Sequence, residues 1–228
     1  MNSLNAIFFD LDGTLVYFQI EYIKARKKAI KILERNGIPK NKYNLNSSIR
    51  EMIAESKNYF SNTLKFDQNK INNIFKKVNE SIIKIELKAA KKAKPINNID
   101  KLLKYFKDKK IKQIIITYNT HKTAELTLKK AKLDSYINEI YGRDDVEIAK
   151  PNIKHLEPVI KKYNLKPENC VIVGDYKIDI ELGKNFGCKT IGVITNHEIN
   201  LIENADFKIH QDKLYDELIK ILQQNFYF

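Results

Sequence analysis

Short apolar runs that end in a polar residue, separated by stretches of helical periodicity, set the rhythm of this chain. Ala6–Phe9 is one such run, closed by Asp10, and its length predicts a buried strand. From about Phe18 to Ala93 no strand-like run occurs. Apolar residues recur there at helical spacing, at Ile20, Ile23, Ala29, Ile30 and Leu33, then at Ile49, Met52 and Ile53. Gly37-Ile38-Pro39 predicts the end of the first helix, and two more are expected near 47–62 and 68–92. After Pro95 helix and strand alternate. Helices are predicted over Ile99–Lys109, 121–131, 152–163 and 178–186, and strands over Lys112–Thr117, 137–141, Val171–Gly174 and Thr190–Ile194. Units of this length imply parallel strands with right-handed crossovers, and unbroken apolar runs imply a sheet covered on both faces. The expected class is α/β, a parallel sheet flanked by helices over 1–16 and 94–228, with an all-helical insert over 17–93.

Composition changes this picture little. A chain of 228 residues suffices for one sizeable core and a smaller accessory domain. No apolar stretch reaches the roughly 18 residues of a membrane span. Met1-Asn2-Ser3-Leu4-Asn5 lacks a charged leader pattern, so a cytoplasmic protein without a membrane partner is expected. Cys170 and Cys188 stand at the starts of predicted core strands and read as buried free thiols. The net charge of +13 is nearly all lysine spread along predicted helices, with arginine only at 26, 35, 50 and 143. This reads as a solvated lysine surface that attracts small phosphorylated molecules, and a nucleic-acid partner is the lesser reading.

Candidate chemistry sharpens it. In such sheets ligands bind beyond the carboxyl ends of strands, at a topological switch point. Asp10, Asp12, Thr117, Lys150 and Asp175 all fall at such ends. Crowded carboxylates are unfavourable unless something positive joins them, and a divalent cation with a phosphorylated substrate is the simplest such partner. His121, His155, His197 and His210 show no metal-like pairing and read as surface or capping residues.

With these residues on view, the sequence resembles the haloacid dehalogenase superfamily of phosphohydrolases. Its four motifs are matched in order by Asp10-Leu11-Asp12-Gly13-Thr14, by Ile114-Ile115-Ile116-Thr117, by Ala149-Lys150-Pro151, and by Gly174-Asp175 followed by Asp179. The chain looks most like phosphoglycolate-phosphatase-like members, whose helical cap is inserted just after motif one. The resemblance implies a Rossmann-like core and a Mg²⁺-dependent phosphatase of small phosphorylated metabolites. Asp10 would be the nucleophile that forms an aspartyl-phosphate. Asp12 would protonate the leaving oxygen and later deprotonate water. Asp10, the Asp12 backbone carbonyl and Asp175 would hold the Mg²⁺. Thr117 and Lys150 would stabilise the reacting phosphate, with Tyr118 and Asn119 also binding it. Gly13, Thr14 and Asp179 would support the site, Gly13 by permitting a tight turn and Asp179 by orienting Lys150 or a metal-bound water. Tyr118 departs from the small polar residue common at that place. Asp12 favours phosphoryl transfer over carbon–halogen cleavage. The resemblance further implies cap closure about hinges near Val16–Phe18 and Lys94–Pro95. A monomer or homodimer is expected. A sugar-phosphate mutase resembling β-phosphoglucomutase is the alternative, and a nucleic-acid-end phosphatase or binding protein is a weaker one.

Overall fold

The structure, a computed structural model, describes residues 1–17, 19–195 and 202–228. Phe18 and His197, named above, lie outside the described residues. The chain divides into two units, Met1–Gln19 with Ala90–Phe228, and Ile20–Ala89.

The larger unit is built on six parallel strands. They are β2 (Ala6–Phe9), β3 (Lys112–Ile116), β4 (Glu139–Tyr141), β5 (Cys170–Gly174), β6 (Lys189–Ile194) and β7 (Phe207–His210), in the spatial order β4-β3-β2-β5-β6-β7. Alternate residues of each strand enter opposite faces. Ile7, Phe9, Ile115, Val171, Val173 and Ile191 pack with α4 (Ile99–Asp108), α5 (His121–Ala131) and α8 (Leu214–Asn225). Ala6, Phe8, Ile114, Ile116, Cys170 and Ile172 pack with α6 (Glu157–Tyr163) and α7 (Lys177–Phe186). Burial on both faces is what made the central strands read as continuous apolar runs. Cys170 and Cys188 are buried free thiols.

Several boundaries differ from the sequence reading. The helix expected near 152–163 is a 3₁₀ turn at Ile153–His155 followed by α6. Pro158 lies in the first turn of α6, where its missing N–H costs nothing, whereas a helix begun earlier would set its ring against a carbonyl. The sequence reading names no element beyond Ile194, yet β7 and α8 complete the unit. At the sheet edge β7 alternates Phe-Lys-Ile-His, so only half of it carries an apolar signal. A separate two-stranded pair joins β1 (Asn2–Ser3) to β8 (Phe226–Tyr227), which brings Phe228 against Tyr105 and Phe106.

The smaller unit contains α1 (Tyr22–Arg35), α2 (Ile49–Asn58) and all but the last residue of α3 (Gln68–Ala90). Ala25, Ala29 and Leu33 form the buried stripe of α1. Gly37, at φ +109°, ends that helix, and the Ile38 amide returns to the Leu33 carbonyl at 3.2 Å. The helix predicted to 62 leaves regular α geometry after Asn58 and continues as a π-type turn over Tyr59–Thr63. Leu33, Met52, Phe60, Ile74 and Val78 fill the centre of this unit. Among the described residues no helix is long and apolar enough to cross a membrane.

Candidate active site

Strand register assembles the site. Phe9 is aligned with Ile115 on one side and Val173 on the other, and the Asp10 amide extends the ladder to the Val173 carbonyl at 2.9 Å. Asp10 therefore leaves the sheet beside Gly174-Asp175 and beside Ile116-Thr117. The chain reverses direction across the sheet here, because β3 and β4 lie on one side of β2 and β5 to β7 on the other.

Gly13 lets the first loop close on this point. Its φ is +88°, and a Cβ there would collide with the Asp175 carboxylate, reaching 2.6 Å from Cγ. The Gly13 carbonyl accepts a bond from Gln211 Nε2 at 2.7 Å. Thr14 is fully buried beside it. Asp12 accepts a 2.5 Å hydrogen bond from Asn119 Nδ2, and the Asn119 amide donates to Thr117 Oγ1 at 3.2 Å.

Lys150 is the buried cation of the site, 2% exposed. Its ammonium reaches Asp10 Oδ1 at 2.5 Å, Asp179 Oδ1 at 2.6 Å and the Ile116 carbonyl at 2.9 Å. An ammonium has three donors, and these three acceptors use them all. Asp179 is held in turn at the start of α7, where its Oδ2 accepts from the Tyr176 amide at 3.1 Å. Burial pulls the Lys150 pKa down, but the charges of Asp10 and Asp179 outweigh it and hold the ammonium protonated.

The carboxylates are under strain of the opposite kind. Burial, then the charges of Asp10 and Asp179, push Asp175 well above the usual carboxylate range. Burial pushes Asp179 up to about 6, with Asp10 adding to the rise and Lys150 opposing it. Asp10, Asp175 and Asp179 each offer an oxygen within 4.8 Å of the others. Oxygen donors at this spacing, with more negative charge than Lys150 neutralises, fit a hard divalent cation. Asp179, given a supporting part by the sequence reading, thus lies in the acidic cluster itself.

The sequence profile of the haloacid dehalogenase-like hydrolases matches residues 7–193. The chain belongs to that family. The pyrophosphatases PpaX of Bacillus mycoides and Anoxybacillus flavithermus are 38% and 40% identical to it over 79 and 86 residues, so the match spans only 37% and 40% of their length. PpaX of Bacillus thuringiensis is 27% identical over 201 residues, 84% of this chain and 83% of its own. Among solved structures, a predicted phosphoglycolate phosphatase from Haemophilus somnus has a TM-score of 0.64 at 17% identity, covering 98% of this chain and 100% of that one. A β-phosphoglucomutase from Clostridium difficile has a TM-score of 0.69 at 17% identity, covering 96% of each chain. At these identities the structural likeness speaks for the fold alone.

Three residues of this haloacid dehalogenase-like hydrolase escaped the sequence reading. Arg143 donates to the Tyr118 carbonyl at 2.5 Å, clamping the turn after β3, and Gln211 braces the first loop. His155 is the clearest correction, because it is not a surface residue but fully buried, with both ring nitrogens bonded. Its only local signal was its place between Ile153 and Leu156. His121 pairs with Asp145 on the surface, as expected of a surface residue, and His210 is exposed. Lys177 is exposed and faces Glu181 at 3.9 Å.

Proposed function

We propose that this hydrolase is a Mg²⁺-dependent phosphatase of small phosphorylated compounds that works through an aspartyl-phosphate on Asp10. The carrying observation is Lys150, buried and bonded to Asp10 and Asp179 at the carboxyl edge of the sheet, with Asp175 in the same cluster. Asp10, Asp175 and the Asp12 backbone carbonyl would hold the cation, with Asp179 beside them. When bound, the cation supplies positive charge against the phosphate oxygens and the crowded carboxylates.

The Asp10 carboxylate attacks phosphorus, and the leaving oxygen departs with the proton of Asp12. Asn119 holds Asp12 in place for that transfer. Asp12, now a carboxylate, takes a proton from water as the water attacks the aspartyl-phosphate, which frees phosphate and restores Asp10. Lys150 keeps Asp10 oriented and would lower the cost of charge on the transferring group, and Thr117 would bind the same group.

Relatives named pyrophosphatase match most of this chain, so inorganic pyrophosphate belongs in the substrate panel beside phosphomonoesters. The test is phosphate release from that panel with Mg²⁺. Release that stops with EDTA and in Asp10→Asn supports the proposal, whereas turnover surviving either one refutes it. A burst that requires a sugar bisphosphate, without steady phosphate release, would identify a mutase instead.

A further inference from the structure

We propose that His155 is a positioning residue, one neutral imidazole that ties the backbone of Lys150 to the end of β4, where the same Tyr141 carbonyl also holds the Thr117 amide. Four hydrogen bonds form a closed ring. The Lys150 amide donates to His155 Nδ1 at 2.9 Å, and His155 Nε2 meets the Tyr141 carbonyl at 3.1 Å. The same carbonyl accepts from the Thr117 amide at 3.0 Å. The Lys150 ammonium returns to the Ile116 carbonyl at 2.9 Å.

The partners dictate the tautomer. A backbone amide can only donate and a backbone carbonyl can only accept, so Nδ1 is bare and Nε2 carries the proton. Protonating Nδ1 would set an N–H against the Lys150 N–H. Burial and the Lys150 charge lower the His155 pKa to about 4, which keeps the imidazole neutral at working pH. The Lys150 ammonium and the Asp145 carboxylate are the charged groups acting on it.

A histidine in a core can merely satisfy its neighbours. This one joins the carrier of Lys150 to the carrier of Thr117, two segments that share no strand pairing. Without it the amino-acid backbone at Lys150 loses its tether to the sheet, while the ammonium keeps its own acceptors. The role rests on Lys150 and Thr117 acting on the phosphate as proposed above.

The experiment compares full-length wild type, His155→Gln and His155→Leu with Mg²⁺ and p-nitrophenyl phosphate, alongside hydrogen exchange at the Lys150 amide. Gln can still accept and donate, but Leu can do neither. We expect Leu to lower kcat by about 10- to 100-fold with KM nearly unchanged, in the range for lost supporting contacts. The Lys150 amide should exchange faster in Leu, and Gln should recover most of both effects. Wild-type kcat in Leu with a freed amide overturns the proposal, as does a fall in kcat with the amide still protected. If Leu does not fold, His155→Asn, which can reach only one partner, takes its place under the same criteria. If the wild type releases no phosphate, the phosphatase reading fails by itself. Orthovanadate binding with Mg²⁺ is then compared, and equal affinities, or none in all three proteins, overturn the positioning role.

Discussion

At the scale of single residues, the site is a balance between one buried ammonium and three carboxylates. Removing Lys150 leaves Asp10 and Asp179 buried without their counter-charge. Lys150→Ala is expected to lower turnover at least ~100-fold. Metal-free, it should also lose about 3 kcal/mol of stability at pH 7. Chemical denaturation at pH 7 and pH 5 checks this, and the loss should be smaller at pH 5. The reason is Asp179, whose folded pKa is raised from 3.8 to about 6. Its contribution to stability is fully present below about pH 4 and is lost as pH rises through 6. His155 has the opposite slope. Its folded pKa of about 4 lies below the ordinary 6.5, so its contribution is present above pH 6.5 and is lost as pH falls toward 4, by on the order of 3 kcal/mol. The difference in unfolding free energy between wild type and His155→Gln should therefore shrink across that window. A constant difference would deny His155 its neutral state.

At the scale of elements, loops and helix starts convert sheet register into a site. Gly13 and Gly187 make a controlled pair, with φ of +88° and +86°. A Cβ at Gly187 meets only Pro167 at 3.7 Å, whereas one at Gly13 strikes the Asp175 carboxylate. Both alanine variants should lose about 1–3 kcal/mol from backbone strain. Only Gly13→Ala should also lose most phosphate release, measured on folded protein. The elements also show how far local pattern reaches. The apolar runs at Ala6–Phe9, Lys112–Ile116 and Cys170–Gly174 were legible because burial on both faces leaves no polar alternation to obscure them. The pair β1–β8 was not, since Asn2-Ser3 has no apolar signal and its partner lies at the far end of the chain. The edge strand β7 was hidden for the related reason that half its side chains face water.

At the scale of the whole molecule, charge is unevenly placed. Ile20–Ala89 holds 16 lysines and arginines against 7 acidic residues, which is +9 of the total +13. Dispersed lysines bind polyanions weakly and through counterion release, so affinity for a DNA duplex should fall below detection by about 150 mM salt. Tight binding at that salt would call for a nucleic-acid function. Global stability should also report the acidic cluster. Mg²⁺ is expected to raise the melting temperature at pH 7 and much less at pH 5, where protons compete for Asp175 and Asp179. Asp175→Asn should stabilise the metal-free protein and abolish the Mg²⁺ response, and an undiminished response would remove Asp175 from the cation site. The amino-acid sequence alone determined the order of the main helices and strands between Ala6 and Ile194, the two acidic clusters and the lysine between them, because strand burial and turn chemistry are local properties. Only the tertiary structure decided that β2 lies between β3 and β5, and that Phe9 aligns with Ile115 and Val173. It also decided that Asp179, expected only to support the site, brings an oxygen within 4.8 Å of those of Asp10 and Asp175, and that His155 is buried at the junction. Those contacts join residues far apart in the chain, and they follow from how the strands pack rather than from any pattern along them.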